Sequence, residues 1–217
     1  MGWGIKLRGG AGWFVDQLMP ILRALWVRRT FGARIAESKA AAHPPDSHLA
    51  YLSLALPQIR EAHRIEIQRR DQFTRKAQGY LMALTVMSSF SIGAIALTVK
   101  AASSSSTVQQ PSGPSLSWTF WVGLLAMIAS FTMAALSALW AVGPSEVFDV
   151  YLPALVEDGK PVDDERQKSL LLHMIALNQA YNLILAAFVR AAYIAMRNGA
   201  ILLLVALCWL VIGYARR

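Results

Sequence analysis

The chain is short of charge and almost without cysteine. Only 16% of its 217 residues are charged, against roughly a quarter in a soluble domain. A single cysteine, Cys208, excludes an intrachain disulfide and reads as an apolar packing residue. Enzyme signatures are missing as well: no Gly-rich phosphate loop, no His-x-x-x-His, no paired Cys spacing and no Gly-x-Ser-x-Gly occurs. His43, His48, His63 and His173 are scattered, and the one carboxylate cluster, Asp163-Asp164-Glu165, reads as the start of a helix. Catalysis, a metal centre and a bound cofactor are therefore not expected.

What is present is long uncharged sequence. Lys76 and Lys100 bracket 23 uncharged residues, Lys100 and Glu146 bracket 45, and Arg197 and Arg216 bracket 18. About 20 mainly apolar residues cross a hydrocarbon core as a helix. A chain of this length has nothing to surround three buried helices of that kind, so the reading is an all-α integral membrane protein. Transmembrane helices are expected at 79–99, 116–142 and 198–215, with long helices extending into a cytosolic helical bundle. A fourth span at 169–189 is the alternative, joined to the last by Arg190–Arg197. His173, Asn178, Gln179 and Asn182 are costly in hydrocarbon, and Arg190–Tyr193 holds no turn residue, which favours three.

Residues 1–45 form a basic N-terminal segment in which Phe14, Leu18, Ile21, Leu22 and Leu25 follow helical spacing, as in an interfacial helix. Residues 46–78 read as a cytosolic helical sensor part beginning near Asp46 or Pro57, and 143–197 as a cytosolic loop and helix with Asp164 and Gln167 at capping-box spacing. A charge-free, Ser- and Pro-rich loop, 101–115, lies on the far side. Thirteen Lys/Arg precede the first span and five lie between Gly143 and Arg197, against three elsewhere. Lys/Arg excess marks the cytoplasmic side, which places the N-terminus inside a bacterial inner membrane.

Two constellations stand out. On the membrane-proximal helix, Ile59, Ala62, Glu66, Arg69/Arg70, Phe73, Ala77 and Tyr80 recur every three or four residues, apolar at the ends and ionic in the middle. Such a stripe is either a solvated basic helix drawn to anionic lipid or the wall of a polar site. In a polar site an arginine holds an anion with its two-pronged fork and Phe73 offers a stacking face. Asn178 and Asn182, one turn apart on the second polar helix, either read a base edge or bridge two helices. In the second span Ala126, Ser130, Ala134 and Ala138 repeat every four residues, a spacing that lets helices approach closely, within one chain or between copies.

A charged helix reading Arg69-Arg70-Asp71-Gln72-Phe73-Thr74-Arg75-Lys76-Ala77 runs directly into a first span, followed by a short far loop, a second span, and a polar helix leading to a last span. Over roughly 55–215 this layout resembles the transmembrane effectors of Pycsar, a bacterial antiphage cyclic-nucleotide signalling system, and the SLATT-type effectors in architecture. Lys76-Ala77 match the family's Lys-Ala pair before the first span; Thr74 stands where an acid is expected, with Asp71 one turn earlier. The resemblance implies a non-enzymatic effector that senses cyclic UMP or cyclic CMP from a partner cyclase and impairs the inner membrane, stopping the infected cell. Arg69, Arg70, Phe73, Lys76, Asn178 and Asn182 are the candidate nucleotide-binding residues. Expected partners are the lipid bilayer, the cyclic mononucleotide and further copies of the chain, not nucleic acid. A membrane-anchored assembly protein and a transporter subunit are the other readings; the absence of charge within the spans argues against transport.

Overall fold

A computed structural model describes residues 17–41, 48, 50–104, 118–143, 148–149, 156–157 and 160–215. Four α-helices carry these residues: α1 (Pro20–Ala41), α2 (Leu56–Ser104), α3 (Trp118–Val142) and α4 (Asp164–Ala215). A 3-10 turn, Ala50–Ser53, precedes α2. Between α3 and α4, strand β1 (Val156–Glu157) pairs antiparallel with β2 (Lys160–Pro161). Residues 1–16, 42–47 and most of the far loop lie outside the described residues.

The helix ends follow local chemistry. Pro20 opens α1, where a fixed φ and a missing N–H cost nothing; of the expected interfacial helix, Phe14 lies outside the described residues, and Ile21, Leu22 and Leu25 fall in α1. Pro57 likewise sits in the first turn of α2, and the Gln58 side chain accepts from the Ala55 N–H at 3.3 Å, half of a capping box. At α4 the cap is Asp163, not Asp164: its Oδ1 accepts from the Arg166 N–H at 2.8 Å. One residue of difference leaves Gln167 free to accept from Arg60 at 3.2 Å.

Helix α2 is 49 residues long and α4 is 52, about 74 and 78 Å at ~1.5 Å per residue, more than twice a ~30 Å hydrocarbon core. Helix α4 passes through Arg190–Arg197 without interruption. Segments Trp121–Val142 in α3 and Asp164–Trp209 in α4 are long and apolar enough to cross a membrane.

The chain divides into two compact units. The first holds residues up to Ile21, Gln78–Leu139 and Arg190 onward. Its core is Leu84, Met127, Phe131, Ala134 and Ala195, with Met87, Leu124, Met133, Met196, Leu202 and Leu203 against them. Its outer surface is apolar: Met82, Val86, Phe90 and Ile92 on α2, Trp121, Val122, Leu125 and Ile128 on α3, and Ile201, Leu204, Val205 and Trp209 on α4 are exposed. Buried positions there include Ser91, Ser130 and Ser137. The hydroxyls of Thr85, Ser91, Ser130 and Thr132 each donate to the carbonyl four residues earlier, the arrangement that satisfies a hydroxyl without water. Gly199 packs against the Phe131 ring so closely that a Cβ there would lie 2.5 Å from the ring. Gln17 accepts a hydrogen bond from Arg197, and its backbone carbonyl one from Asn198, which ties the residues before α1 to α4.

The second unit holds Leu22–Ala77 and Trp140–Val189. Ile59 packs on Leu171, Leu172 and Ile175, with Leu52 and Leu56 at the edge; each such side chain contributes about 1.5–3 kcal/mol by leaving water. Trp140 stacks on Phe188 at 5.9 Å and 18°, and the Arg28 guanidinium lies 3.9 Å over the Trp140 ring.

Within α2 the buried positions are Ile59, His63, Glu66, Arg70, Ala77, Leu84 and Ser91, with Phe73, Tyr80 and Met87 half-buried in the gaps. The steps alternate four and three, the heptad of a coiled coil. His63 replaces Ala62 in the expected stripe, because a seam of period 3.5 reaches residue 63 while Ala62 faces out. The same alternation runs through Met127, Phe131, Ala134 and Ala138 on α3. Ser130, Ala134 and Ala138 are buried as the expected ridge requires, but Ala126 is exposed, since a strict four-residue repeat walks off the buried face.

Candidate functional site

Polar side chains collect inside the second unit at consecutive seam positions of α2: His63, Glu66 and Arg70 are each no more than 7% exposed. Facing them, α4 buries Asn178 and Asn182. Burying such groups is tolerated only where hydrogen bonds replace water, and the partners are visible.

Glu66 is the first centre. Asn182 Nδ2 donates to the Glu66 backbone carbonyl at 2.9 Å and to Oε2 at 3.0 Å. Arg69 donates to Oε1 at 2.7 Å, and Gln179 reaches the same oxygen at 3.5 Å. Arg69 itself is largely exposed, so one charge of this ion pair stays hydrated while the other is inside.

Phe148, on the segment following α3, is the second centre. Its carbonyl accepts from Asn178 Nδ2 at 2.8 Å, and its N–H donates to Asn178 Oδ1 at 3.4 Å. His63 Nε2 lies 3.2 Å from the same carbonyl; an oxygen there can only accept, so Nε2 carries the proton. The Phe148 ring meets Tyr181 edge-on at 6.2 Å, with the Lys39 ammonium 4.8 Å from its centroid. On Tyr181 the Arg70 guanidinium lies 5.7 Å from the ring centre, within the ~6 Å over which a cation feels a ring quadrupole. Lys39, Phe148, Tyr181 and Arg70 thus alternate cation, ring, ring, cation.

Known proteins offer no guide to this arrangement. The chain matches no family model, no curated protein and no solved structure. The site is therefore read from its own residues.

Of the sequence candidates, Arg70, Asn178 and Asn182 are buried in this layer, and Phe73 is half-buried one turn along the same seam. Arg69 and Lys76 face outward: the 3.5-residue seam places Arg70, not its neighbour, inside. The amide groups of Asn178 and Asn182 are engaged by Phe148 and Glu66, so both asparagines bridge chain segments in this state. Sequence reasoning missed Phe148, Tyr181, Lys39 and the role of His63. A strict heptad drawn from Ile59 would have found His63; nothing local marks Phe148, whose partners lie 30 and 85 residues away. On the outward face, Arg64 is paired with Glu61 at 2.9 Å, which pushes its guanidinium pKa up from an already high value.

Proposed function

We propose that the protein is a multi-pass inner-membrane effector with a cytoplasmic N-terminus, whose polar unit senses an anion of the cyclic pyrimidine mononucleotide class and whose apolar unit then impairs the membrane. Three spans fit best. The exposed apolar residues of α2, α3 and α4 form the kind of patch that soluble monomers rarely leave in water, and an unbroken α4 at Arg190–Arg197 favours three spans over four. The Lys/Arg excess before residue 79 and between Gly143 and Arg197 supports the orientation.

The observation that carries the sensing part is the buried Arg70 guanidinium over Tyr181, in one layer with Asn178. A cyclic nucleotide brings one negative charge and a planar base, and this layer offers a cation, a ring and an amide. A ligand shifts an equilibrium only by its differential affinity for two states, and a buried cation is where such a difference is large. Both α2 and α4 supply residues to each unit, so each helix carries a change of packing onward along its own hydrogen-bonded backbone.

The engaged amides of Asn178 and Asn182 favour a second reading, a membrane-anchored assembly protein whose polar layer only holds its helices in register. Calorimetry on the purified protein separates the two. Binding of cyclic UMP or cyclic CMP, weakened at least about tenfold in Arg70→Ala as for loss of a charge-assisted hydrogen bond, supports the effector. No binding to the wild type leaves the assembly protein.

A further inference from the structure

We infer that Phe148 is an intramolecular occupant of the base-binding position, a plug that the ligand must displace; this rests on the nucleotide-sensing reading above. The Phe148 main chain presents an N–H and a C=O side by side, and Asn178 answers both with its amide, at 3.4 and 2.8 Å. A pyrimidine edge carries the same adjacent donor and acceptor, the pattern that an asparagine side chain reads in a base. Next to that edge the phenyl ring lies against Tyr181 at 6.2 Å and under Lys39 at 4.8 Å. A six-membered base would take the same two neighbours, with stacking on Tyr181 and a cation at its face.

Two further features fit a competitor more than a fixed strut. Among the described residues, polar side chains from α2 and α4 grip Phe148 at its carbonyl and amide, and Phe148 itself belongs to the connection between α3 and α4 and not to a helix. And the groups seen around Phe148 are ones a nucleotide would use: Asn178 and His63 as hydrogen-bond partners, Tyr181 as a platform, Lys39 as a cation at the ring, and Arg70 one step further, over Tyr181. Exchange of Phe148 for a base leaves Asn178 paired throughout, so the buried amide is never stranded. The signal is then the release of Phe148 from α2 and α4.

A plug scales apparent affinity down to the intrinsic affinity times the fraction of molecules in which it is unseated, so removing it tightens binding. Wild type, Phe148→Ala and Phe148→Leu are purified in detergent, checked for helical content, and titrated with cyclic UMP and cyclic CMP. Hydrogen exchange at the 148 amide is followed in the wild type. The expected result is binding at least about tenfold tighter in Phe148→Ala, an intermediate gain in Phe148→Leu, and faster exchange at 148 when nucleotide is added. If the wild type binds but the variants bind equally or more weakly and the 148 amide stays protected, Phe148 is scaffold and the plug is overturned while sensing stands. If neither wild type nor variants bind, the sensing reading fails and the plug with it. Should Phe148→Ala not fold, the leucine variant and the exchange measurement decide.

Discussion

Asn182 holds Glu66 twice, through its backbone carbonyl at 2.9 Å and its carboxylate at 3.0 Å, with one nitrogen. The pair ties α2 to α4 at a level where both residues are at most 6% exposed. Truncating the amide leaves a buried carboxylate with less than its full set of partners, at a cost of about 1–3 kcal/mol and more where charge is involved. Asn182→Ala should therefore lower the melting temperature measured in detergent, and Glu66→Gln in the same background should recover part of the loss by removing the buried charge. A variant as stable as the wild type would mean that water fills the place of the amide.

Gly199 and Phe131 make the second test. A methyl group at 199 meets the ring at 2.5 Å, so either the ring or the helix must shift. Overpacking of this kind costs about 1–3 kcal/mol. Gly199→Ala should lose that much in thermal or denaturant unfolding, and Phe131→Leu should restore most of it in the double variant. Additive losses would show that the clash is relieved elsewhere.

Topology is checked with thiol labelling after Cys208→Ser. A cysteine at Ser104 should react with a membrane-impermeant reagent in intact spheroplasts, and a reporter placed after Arg217 should be active only outside. Labelling at Ser104 only after lysis would reverse the orientation, and a cytoplasmic reporter would add a fourth crossing.

Much of the helical architecture was legible because charge and apolarity separate so cleanly along this chain: the uncharged run after Lys100 and the acids at Asp163–Glu165 mark helix α3 and the start of α4 without help from tertiary contacts. Arg70, Asn178 and Asn182 were legible as polar groups on helices. Which arginine turns inward was not, because stepping by three or four at will admits both Arg69 and Arg70, and only an unbroken 3.5-residue rhythm from Ile59 separates them. Ala126 fails for the same reason in reverse, as a four-residue repeat precesses around a helix. Phe148 depends on pairings across 30 and 85 residues of chain, and no local pattern encodes those.

The heptad of α2 carries a further consequence. Leu, Ile and Ala positions in such a seam accept one another at any multiple of a turn, so an apolar seam alone lets two helices slide. Placing Glu66 opposite Asn182 restricts that freedom: a slip of one turn, about 5.4 Å, breaks both Asn182–Glu66 bonds, and in the direction that carries Glu66 toward Leu185 and Ala186 it sets a carboxylate against hydrocarbon. Intermediate settings are worse still, since knobs would then meet ridges in place of holes. The two helices consequently have a small number of permitted axial positions with steep walls between them, and any rearrangement in this layer must proceed in discrete steps.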